Sequence, residues 1–166
     1  MTLRRPADQD IIVVGASGDL AARKLLPALY NLEAADLLPG GGRIIGYAVA
    51  PWDDAAFLDA ARDAVRQHSR TGLDDAVFAR FAQRLAFVPA SAGVEALRGR
   101  LTQPSRIAYL AVPPSAFASL VEDFGKHGLG PGTSIVIEKP FGHDVASAIE
   151  LNGVLHTVFP EDRIYR

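Results

Sequence analysis

A short glycine-containing turn between an apolar run and an amphipathic stretch is the feature that most constrains how this chain can fold. Residues 11–14 (Ile-Ile-Val-Val) have the composition of a buried strand, and a helical pattern begins a few residues later. Glycine at the end of a strand permits a sharp turn, and glycine at the start of a helix lets another group approach the backbone closely. The turn comprises Gly15, Ala16, Ser17, Gly18, Asp19, Leu20 and Ala21.

The spacing of this turn is Gly-x-x-Gly-x-x-Ala, which departs from the Gly-x-Gly-x-x-Gly pattern of many dinucleotide-binding folds. Ala21 fills the third position, where a small residue permits close packing between helix and strand. A pyrophosphate binds well to the unpaired N–H groups at a helix N-terminus. We therefore interpret residues 15–21 as a dinucleotide site. The alternative is an ordinary turn between a strand and a helix, because a glycine pattern alone is weak evidence.

The bulk composition is that of a globular domain. Of the 166 residues, 49% are hydrophobic and 22% charged, and we predict one domain over residues 1–166. Lysine and arginine are scattered and the formal net charge is −2, so no nucleic-acid partner is expected. No apolar run reaches the roughly 20 residues of a membrane span, so no membrane partner is expected either. The absence of cysteine excludes disulfides and thiolate metal sites, and it favours a cytoplasmic protein.

Strand-like and helix-like segments alternate along the rest of the chain. Further strands are predicted at residues 43–48, 85–88, 106–112 and 133–138, and a sixth begins near residue 163. This alternation predicts an α/β fold with a doubly wound, mostly parallel sheet in three layers, of the Rossmann-like type. Ligands of such folds bind at the carboxyl ends of the strands. That rule places Gly15, Ala48, Pro113 and Lys139 at one edge.

The sequence pattern predicts the buried face and one end of each of two helices. The first continues to about Leu37, with Leu25, Leu29 and Leu32 on its buried face. The second begins after Asp53 or Asp54, either of which can cap its first turn. Its buried face is expected to contain Phe57, Ala61, Ala64 and Val65.

Three side chains outside the glycine turn are candidates for ligand contact. Lys139 is a cation at the end of a buried strand, and Pro140 after it is a candidate cis bond that would aim it inward. The alternative for Lys139 is a solvated lysine. Lys24 lies six residues after Gly18, within reach of the same edge. Tyr109 sits in an apolar strand, where core packing with a bonded hydroxyl is the ordinary explanation. The histidines show no metal-ligand spacing, so no metal site is predicted: His68, His127, His143 and His156.

Four segments in this order resemble the glucose-6-phosphate dehydrogenase family. They are residues 15–21 (GASGDLA), 23–27 (RKLLP), 109–114 (YLAVPP) and 138–142 (EKPFG). The resemblance covers nearly the whole chain and corresponds to the N-terminal coenzyme domain of that family. It implies oxidation of glucose 6-phosphate to 6-phosphogluconolactone with NADP, the first step of the pentose phosphate pathway. It also implies a homo-oligomer for the full-length protein.

The same resemblance implies a role for individual residues. The glycine turn, residues 15–21, would hold the NADP phosphates, and Tyr109 would line the nicotinamide side. Lys139 would contact both the coenzyme and the sugar phosphate, and Lys24 would lie near the ligands. These roles make Lys139 and Lys24 the candidate substrate-binding residues.

This sequence departs from the family pattern at two places. The family continues after its Ile-Tyr-Arg with Ile-Asp-His-Tyr-Leu-Gly-Lys, which binds substrate, and later supplies a catalytic histidine paired with an aspartate. The sequence stops at Arg166, so we expect no catalytic residue in it and no turnover from these 166 residues alone. Where the family usually has an arginine for the 2′-phosphate of NADP, this sequence has Val49, so NAD is also a possible coenzyme. Ser17, Arg23 and Arg43 are the remaining candidates for that phosphate.

Two alternatives to the dehydrogenase remain open. One is a non-catalytic dinucleotide-binding module, either truncated or associated with a full-length enzyme. The other is an unrelated Rossmann-type reductase, which would require the Glu-Lys-Pro-Phe-Gly segment to be a coincidence.

Overall fold

Six parallel strands form one sheet in the computed structural model, which describes residues 4–139 and 144–166. The strands are β1 (Asp10–Val14), β2 (Ile44–Ala48), β3 (Leu85–Pro89), β4 (Arg106–Leu110), β5 (Thr133–Ile137) and β6 (Ile164–Tyr165). Every neighbouring pair is parallel, and the spatial order is β3-β2-β1-β4-β5-β6. The doubly wound parallel sheet predicted from the sequence is confirmed. One domain over residues 1–166 stays a prediction.

Helices cover both faces of the sheet. They are α1 (Leu26–Ala34), α2 (Asp54–His68), α3 (Asp75–Ala82), α4 (Gly93–Arg100), α5 (Phe117–Lys126) and α6 (Val145–His156). The side chains of α1 to α3 pack on one face to form the first core, and those of α4 to α6 pack on the other to form the second core. In β1, Val13 faces the first core while Ile12 and Val14 face the second, because successive strand residues point to opposite faces. The three-layer prediction is therefore confirmed.

The predicted buried face of the first helix is wrong by one residue. The chain enters α1 through a π-helical turn, Ala21–Leu25, in which the Leu26 N–H donates to the Ala21 carbonyl. A π turn holds more residues than an α turn, so it rotates every later side chain around the helix axis. The buried positions are consequently Leu26, Pro27, Tyr30 and Glu33.

Leu32, which the sequence pattern placed in the core, is 39% exposed. Leu25 and Leu29 are only partly buried against the first core. The helix also ends at Ala34, three residues before the predicted end at Leu37.

The second helix follows its sequence pattern. Asp53 caps it, since its carboxylate accepts a hydrogen bond of 2.8 Å from the Ala56 N–H. The Asp54 carboxylate instead accepts a hydrogen bond of 2.7 Å from the Phe87 N–H of β3. All the predicted core residues of this helix are buried, and they are Phe57, Ala61, Ala64 and Val65.

A buried carboxylate joins the segments at the amino ends of the strands. Asp10, at the start of β1, is 0% exposed and accepts four hydrogen bonds of 2.6 to 2.8 Å. The donors are the Arg43 N–H, the Thr102 N–H and hydroxyl, and the Gln103 N–H. These bonds connect β1 to the segments that precede β2 and β4. They stabilise the edge of the sheet opposite the carboxyl ends.

Candidate functional site

A cleft opens at the carboxyl ends of β1, β2 and β4. β1 and β4 are neighbours in the sheet but not in the sequence, so the connections that leave them run to opposite faces. This reversal creates a crevice at the carboxyl edge, where ligands of open α/β sheets bind. The cleft has a volume of about 380 Å³, and the glycine turn forms one of its walls. Other lining residues come from the ends of β2, β3 and β4 and from α5, and they include Ala48, Val49, Ala90, Pro113 and Leu120.

Gly15 has the conformation and surroundings that require glycine. Its φ is +85°, a left-handed conformation that residues with a side chain rarely adopt. A Cβ there would lie 2.3 Å from the Ala111 carbonyl oxygen and 2.9 Å from Val112 Cγ1. The Gly15 N–H donates to the Tyr47 carbonyl at 2.7 Å. The turn therefore stays close to both neighbouring strands.

Gly18 is less confined than Gly15, although one backbone atom lies close to the position of its side chain. A Cβ at Gly18 would meet only the Gly15 carbonyl oxygen, at 3.2 Å, and the φ of Gly18 is not positive. Gly18 and Ser17 both line the cleft. The Gly18 carbonyl accepts from the Ala22 N–H at 3.1 Å, so the first helical turn begins here and leaves N–H groups without helical acceptors. An anion can approach the backbone at this point.

Of the other residues of the turn, some pack in the core and others lie at the surface. Ala16 and Ala21 are 2% and 0% exposed and belong to the first core, as the small-residue interpretation of Ala21 requires. Asp19 forms an exposed ion pair of 3.7 Å with Arg23. Leu20 lines a smaller depression beside the cleft.

That depression, of about 170 Å³, brings Lys139 to the carboxyl edge. Leu20, Val112, Glu138 and Lys139 are among its lining residues, and Val112 also lines the cleft. Lys139 is exposed, at the point where β5 has ended. Lys139 therefore lies at the carboxyl edge, where the sequence pattern placed it, and its contact with a ligand stays a prediction. The predicted cis bond at Pro140 lies outside the described residues.

Tyr109 forms a hydrogen bond at the same end of the sheet, but it does not line the cleft. Its hydroxyl donates a hydrogen bond to the Glu138 carboxylate. Burial, together with this bond and the negative charge of Glu138, raises the pKa of Tyr109 to about 12. Tyr109 pairs in register with Val13 and Val136. It therefore lies on the sheet face that also carries Val13, with its hydroxyl bonded as the packing explanation expected.

Lys24 is not brought to the cleft. It lines a separate groove of about 620 Å³ that runs between α1 and the chain at the end of α2. Arg23, His68 and Arg70 line the same groove. The groove contains four basic side chains, but Gly15, Gly18 and Lys139 are not among its lining residues.

The candidates for a 2′-phosphate site are also separated. Val49 follows β2, lines the cleft and is 88% exposed. Arg43 precedes β2, so the strand places it roughly 20 Å from Val49, and its side chain donates to the Arg100 carbonyl. The suggestion that Arg43 reaches the phosphate is therefore wrong. Arg23 points to the groove of Lys24, so only Ser17 of the three candidates lines the cleft.

Sequence reasoning missed three polar side chains of the cleft, Tyr47, Ser119 and Asp123. Tyr47 is 7% exposed, and burial followed by the charge of Asp123 raises the pKa of its hydroxyl. Asp123 comes from α5 on the opposite wall. Tyr47 lies in the second predicted strand, so its position could have marked it as a candidate for the site. Asp123 carried no signal, because nothing in a helical pattern tells which exposed carboxylate faces a cleft.

The described ranges, 4–139 and 144–166, hold no group of three or more histidine, aspartate or glutamate side chains placed to bind a metal ion. In the same ranges, no helix is long and apolar enough to cross a lipid bilayer.

The strand order, the glycine turn and the cleft between β1 and β4 define a dinucleotide-binding α/β domain. Comparison with known proteins gives the family. Residues 12–166 match the family model described as "Glucose-6-phosphate dehydrogenase, NAD binding domain", and the chain belongs to this family.

Individual relatives agree with the family match. The glucose-6-phosphate 1-dehydrogenase of Mycolicibacterium smegmatis is 39% identical in an alignment of 170 residues that covers 95% of this chain and 34% of the relative. The crystal structure of glucose-6-phosphate 1-dehydrogenase from Mycobacterium avium superposes with a TM-score of 0.84 at 37% identity, covering 96% of this chain and 36% of that one. A glucose-6-phosphate dehydrogenase in complex with glucose 6-phosphate gives a TM-score of 0.82 at 27% identity, covering 100% and 37%. The chain thus spans about a third of the length of the relatives it matches.

Proposed function

We propose that this chain binds NADP in the cleft between β1 and β4 and forms the coenzyme half of a glucose-6-phosphate 1-dehydrogenase. The observation that carries the proposal is Gly18. It lies at the start of a helix on a wall of the cleft and has no side chain to hold a ligand away from the backbone. A pyrophosphate needs such close access to backbone N–H groups.

Each part of the carboxyl edge has a distinct task in this proposal. The pyrophosphate binds to N–H groups of the turn, residues 15–21, other than those of Gly15 and Gly18, which donate to the Tyr47 and Gly15 carbonyls. The helix dipole favours its negative charge. NADP held there would supply the acceptor for a hydride from C1 of glucose 6-phosphate. Lys139 supplies positive charge between the coenzyme and the sugar phosphate. Tyr109, through its bond to Glu138, positions the chain just before Lys139 on the nicotinamide side.

Some assignments rest on the resemblance or on composition alone. Contact between Lys24 and the sugar phosphate is one of them, since this lysine lines the groove beside α1. Homo-oligomeric assembly is another. The cytoplasmic location stays a prediction from composition. For the coenzyme, we propose NADP with a weak preference over NAD, because Val49 offers no charge to the 2′-phosphate.

The proposal is tested by titrating NADP into the 166-residue chain and its Gly18→Val variant by calorimetry. We expect the wild type to bind and the variant to bind at least tenfold more weakly, because the added methyl groups hold the phosphates away from the backbone. Gly99→Val is the matched control, since Gly99 lies in α4 and a Cβ there would have no atom within 4 Å. Unchanged NADP affinity in a folded Gly18→Val variant contradicts the proposal.

An activity assay separates the whole reaction from coenzyme binding. None of the described histidines, His68, His127 and His156, lines the cleft or the depression of Lys139. A histidine general base is therefore not placed at the carboxyl edge by the described residues. We expect the 166 residues to bind NADP without producing NADPH from glucose 6-phosphate. Turnover at the rate of an intact enzyme would refute this assignment of tasks.

A further inference from the structure

Within residues 4–139 and 144–166, helices cover the first-core face of the sheet above only three of its six strands. The strand residues of the first core come from β1, β2 and β3, over which α1 to α3 pack. On the opposite face, residues of all six strands belong to the second core. The described part of the chain therefore leaves one face of β4, β5 and β6 without a covering layer.

This uncovered surface is mostly apolar. Val13 points to the first core and pairs in register with Tyr109 of β4, which in turn pairs with Val136 of β5. Tyr165 of β6 pairs with Val136 and is 55% exposed. Apolar sheet faces in folded domains pack against another layer. We call this surface the open face, and it consists of Ile107, Tyr109, Ser134, Val136 and Tyr165.

Opposite charges lie at the two ends of the open face. At the amino end, the Arg163 guanidinium donates to the Ser134 hydroxyl at 3.4 Å. At the carboxyl end, the Glu138 carboxylate accepts from the Tyr109 hydroxyl. Neither charge forms an ion pair with the described residues. Ser134 and Glu138 are four residues apart in extended chain, so the two charges lie about 13 Å apart with Val136 midway between them.

We propose that the open face binds the open face of a second copy of this chain, with a two-fold axis that passes close to Val136. Such an axis reverses the strand direction, so Arg163 of each copy faces Glu138 of the other. A two-fold contact uses the same patch on both copies and therefore needs a patch that complements itself. An apolar centre with opposite charges at equal distances from it meets this requirement. The contact needs no nucleotide in the cleft, so it is independent of the proposed function.

The size of the open face determines how strong this contact can be. Three strands about 4.8 Å apart, with up to five residues of about 3.3 Å rise, give an area of about 240 Å² in projection. Stable complexes bury about 800 Å² on each partner. We therefore expect a weak dimer, with half of the chain associated at a concentration between about 10 µM and 1 mM.

The test is sedimentation equilibrium of the 166-residue chain without coenzyme, from about 5 µM to about 500 µM. The average mass is expected to rise from 17.7 kDa toward twice that value. Tyr165→Asp should weaken association about tenfold, because it places a charge against the apolar centre of the other copy. Ile149→Asp is the matched control, since Ile149 is 68% exposed on α6, which packs on the opposite face of the sheet. Association is expected to be unchanged in this variant.

Exchanging the two end charges tests the two-fold arrangement. Glu138→Arg and Arg163→Glu each place like charges opposite one another, so each variant alone should weaken association severalfold. The double variant again places opposite charges together and should recover most of the association of the wild type. Circular dichroism of each variant checks that the chain is folded.

Three results would overturn the inference. The first is a folded wild-type chain that stays monomeric at about 500 µM, which would leave the open face to other polypeptide, such as the further length of the relatives. The second is association that Ile149→Asp abolishes and Tyr165→Asp leaves unchanged, which would place the contact on α6. The third is a double charge variant that associates no better than the single variants.

Discussion

Replacing Val49 with arginine tests the proposed weak preference of the cleft for NADP over NAD. Val49 follows β2 on the wall of the cleft, where the family usually places an arginine for the 2′-phosphate. The side chain is 88% exposed, so the replacement removes almost no packing. We expect the free energy of unfolding to change by less than about 0.5 kcal/mol. The effect of Val49→Arg is therefore confined to ligand binding.

The expected gain follows from the exposure of the site. A hydrogen bond to a charged group contributes about 1.5 to 3 kcal/mol. Because the new guanidinium stands in solvent, we expect the lower end of that range, which is about a tenfold gain in NADP affinity. NAD has a hydroxyl in place of the phosphate, so its affinity changes by less than about twofold.

The assay is calorimetric titration of both coenzymes into wild type and Val49→Arg, at two salt concentrations. Val145→Arg is the matched control, since Val145 is 76% exposed on α6, outside the lining of the cleft, and receives the same charge. The NADP gain of Val49→Arg should shrink at high salt, because an exposed pair is screened. An equal gain for NAD, or the same gain in Val145→Arg, refutes the reasoning. A wild type that already prefers NADP by about a thousandfold refutes it as well, since another cation would then hold the phosphate.

Three further predictions concern the described residues. Asp10→Asn should lower the free energy of unfolding by about 3 kcal/mol in urea titration, because the amide donor faces N–H groups that the carboxylate accepted; an unchanged midpoint contradicts this. Lys139→Ala should weaken NADP binding about tenfold in calorimetry without changing thermal stability, since this exposed lysine lies on the carboxyl edge; unchanged affinity removes it from the site. Tyr109 should titrate near pH 12 in phenolate absorbance, measured as the difference from Tyr109→Phe. Because the pKa of Tyr109 in the folded chain exceeds the ordinary value of 10.0, its contribution to stability is complete below about pH 10 and is lost as the pH rises through about 12. Titration of Tyr109 near pH 10 would argue against its bond to Glu138.

The sheet and the glycine turn could be read from the sequence because their signals are local. A strand buried on both faces needs an unbroken apolar run, and residues 11–14, 44–48 and 107–110 each form one. The positive φ of Gly15 and the absence of a side chain at Gly18 both belong to the backbone of one short segment. Neighbouring residues determine such features, so a pattern in the sequence reports them directly.

The buried face of the first helix could not be predicted from a local sequence pattern. Pro27 has no N–H to donate, and the chain before it forms a π turn, so the buried face moves from Leu25 and Leu29 to Leu26 and Tyr30. A regular period of 3.6 residues cannot anticipate an inserted residue. The resulting rotation is a property of the folded helix against the first core.

Tertiary structure alone decided which distant side chains meet. Tyr109 bonds to Glu138 because β4 and β5 lie side by side, and Tyr47 and Asp123 line one cleft although they come from β2 and α5. Lys24 seemed close to the ligand edge by its spacing from Gly18, yet the direction of its side chain around the helix puts it in another groove. Sequence separation carries no information about such contacts, since they depend on the order of strands in the sheet and on the rotation of each helix about its axis.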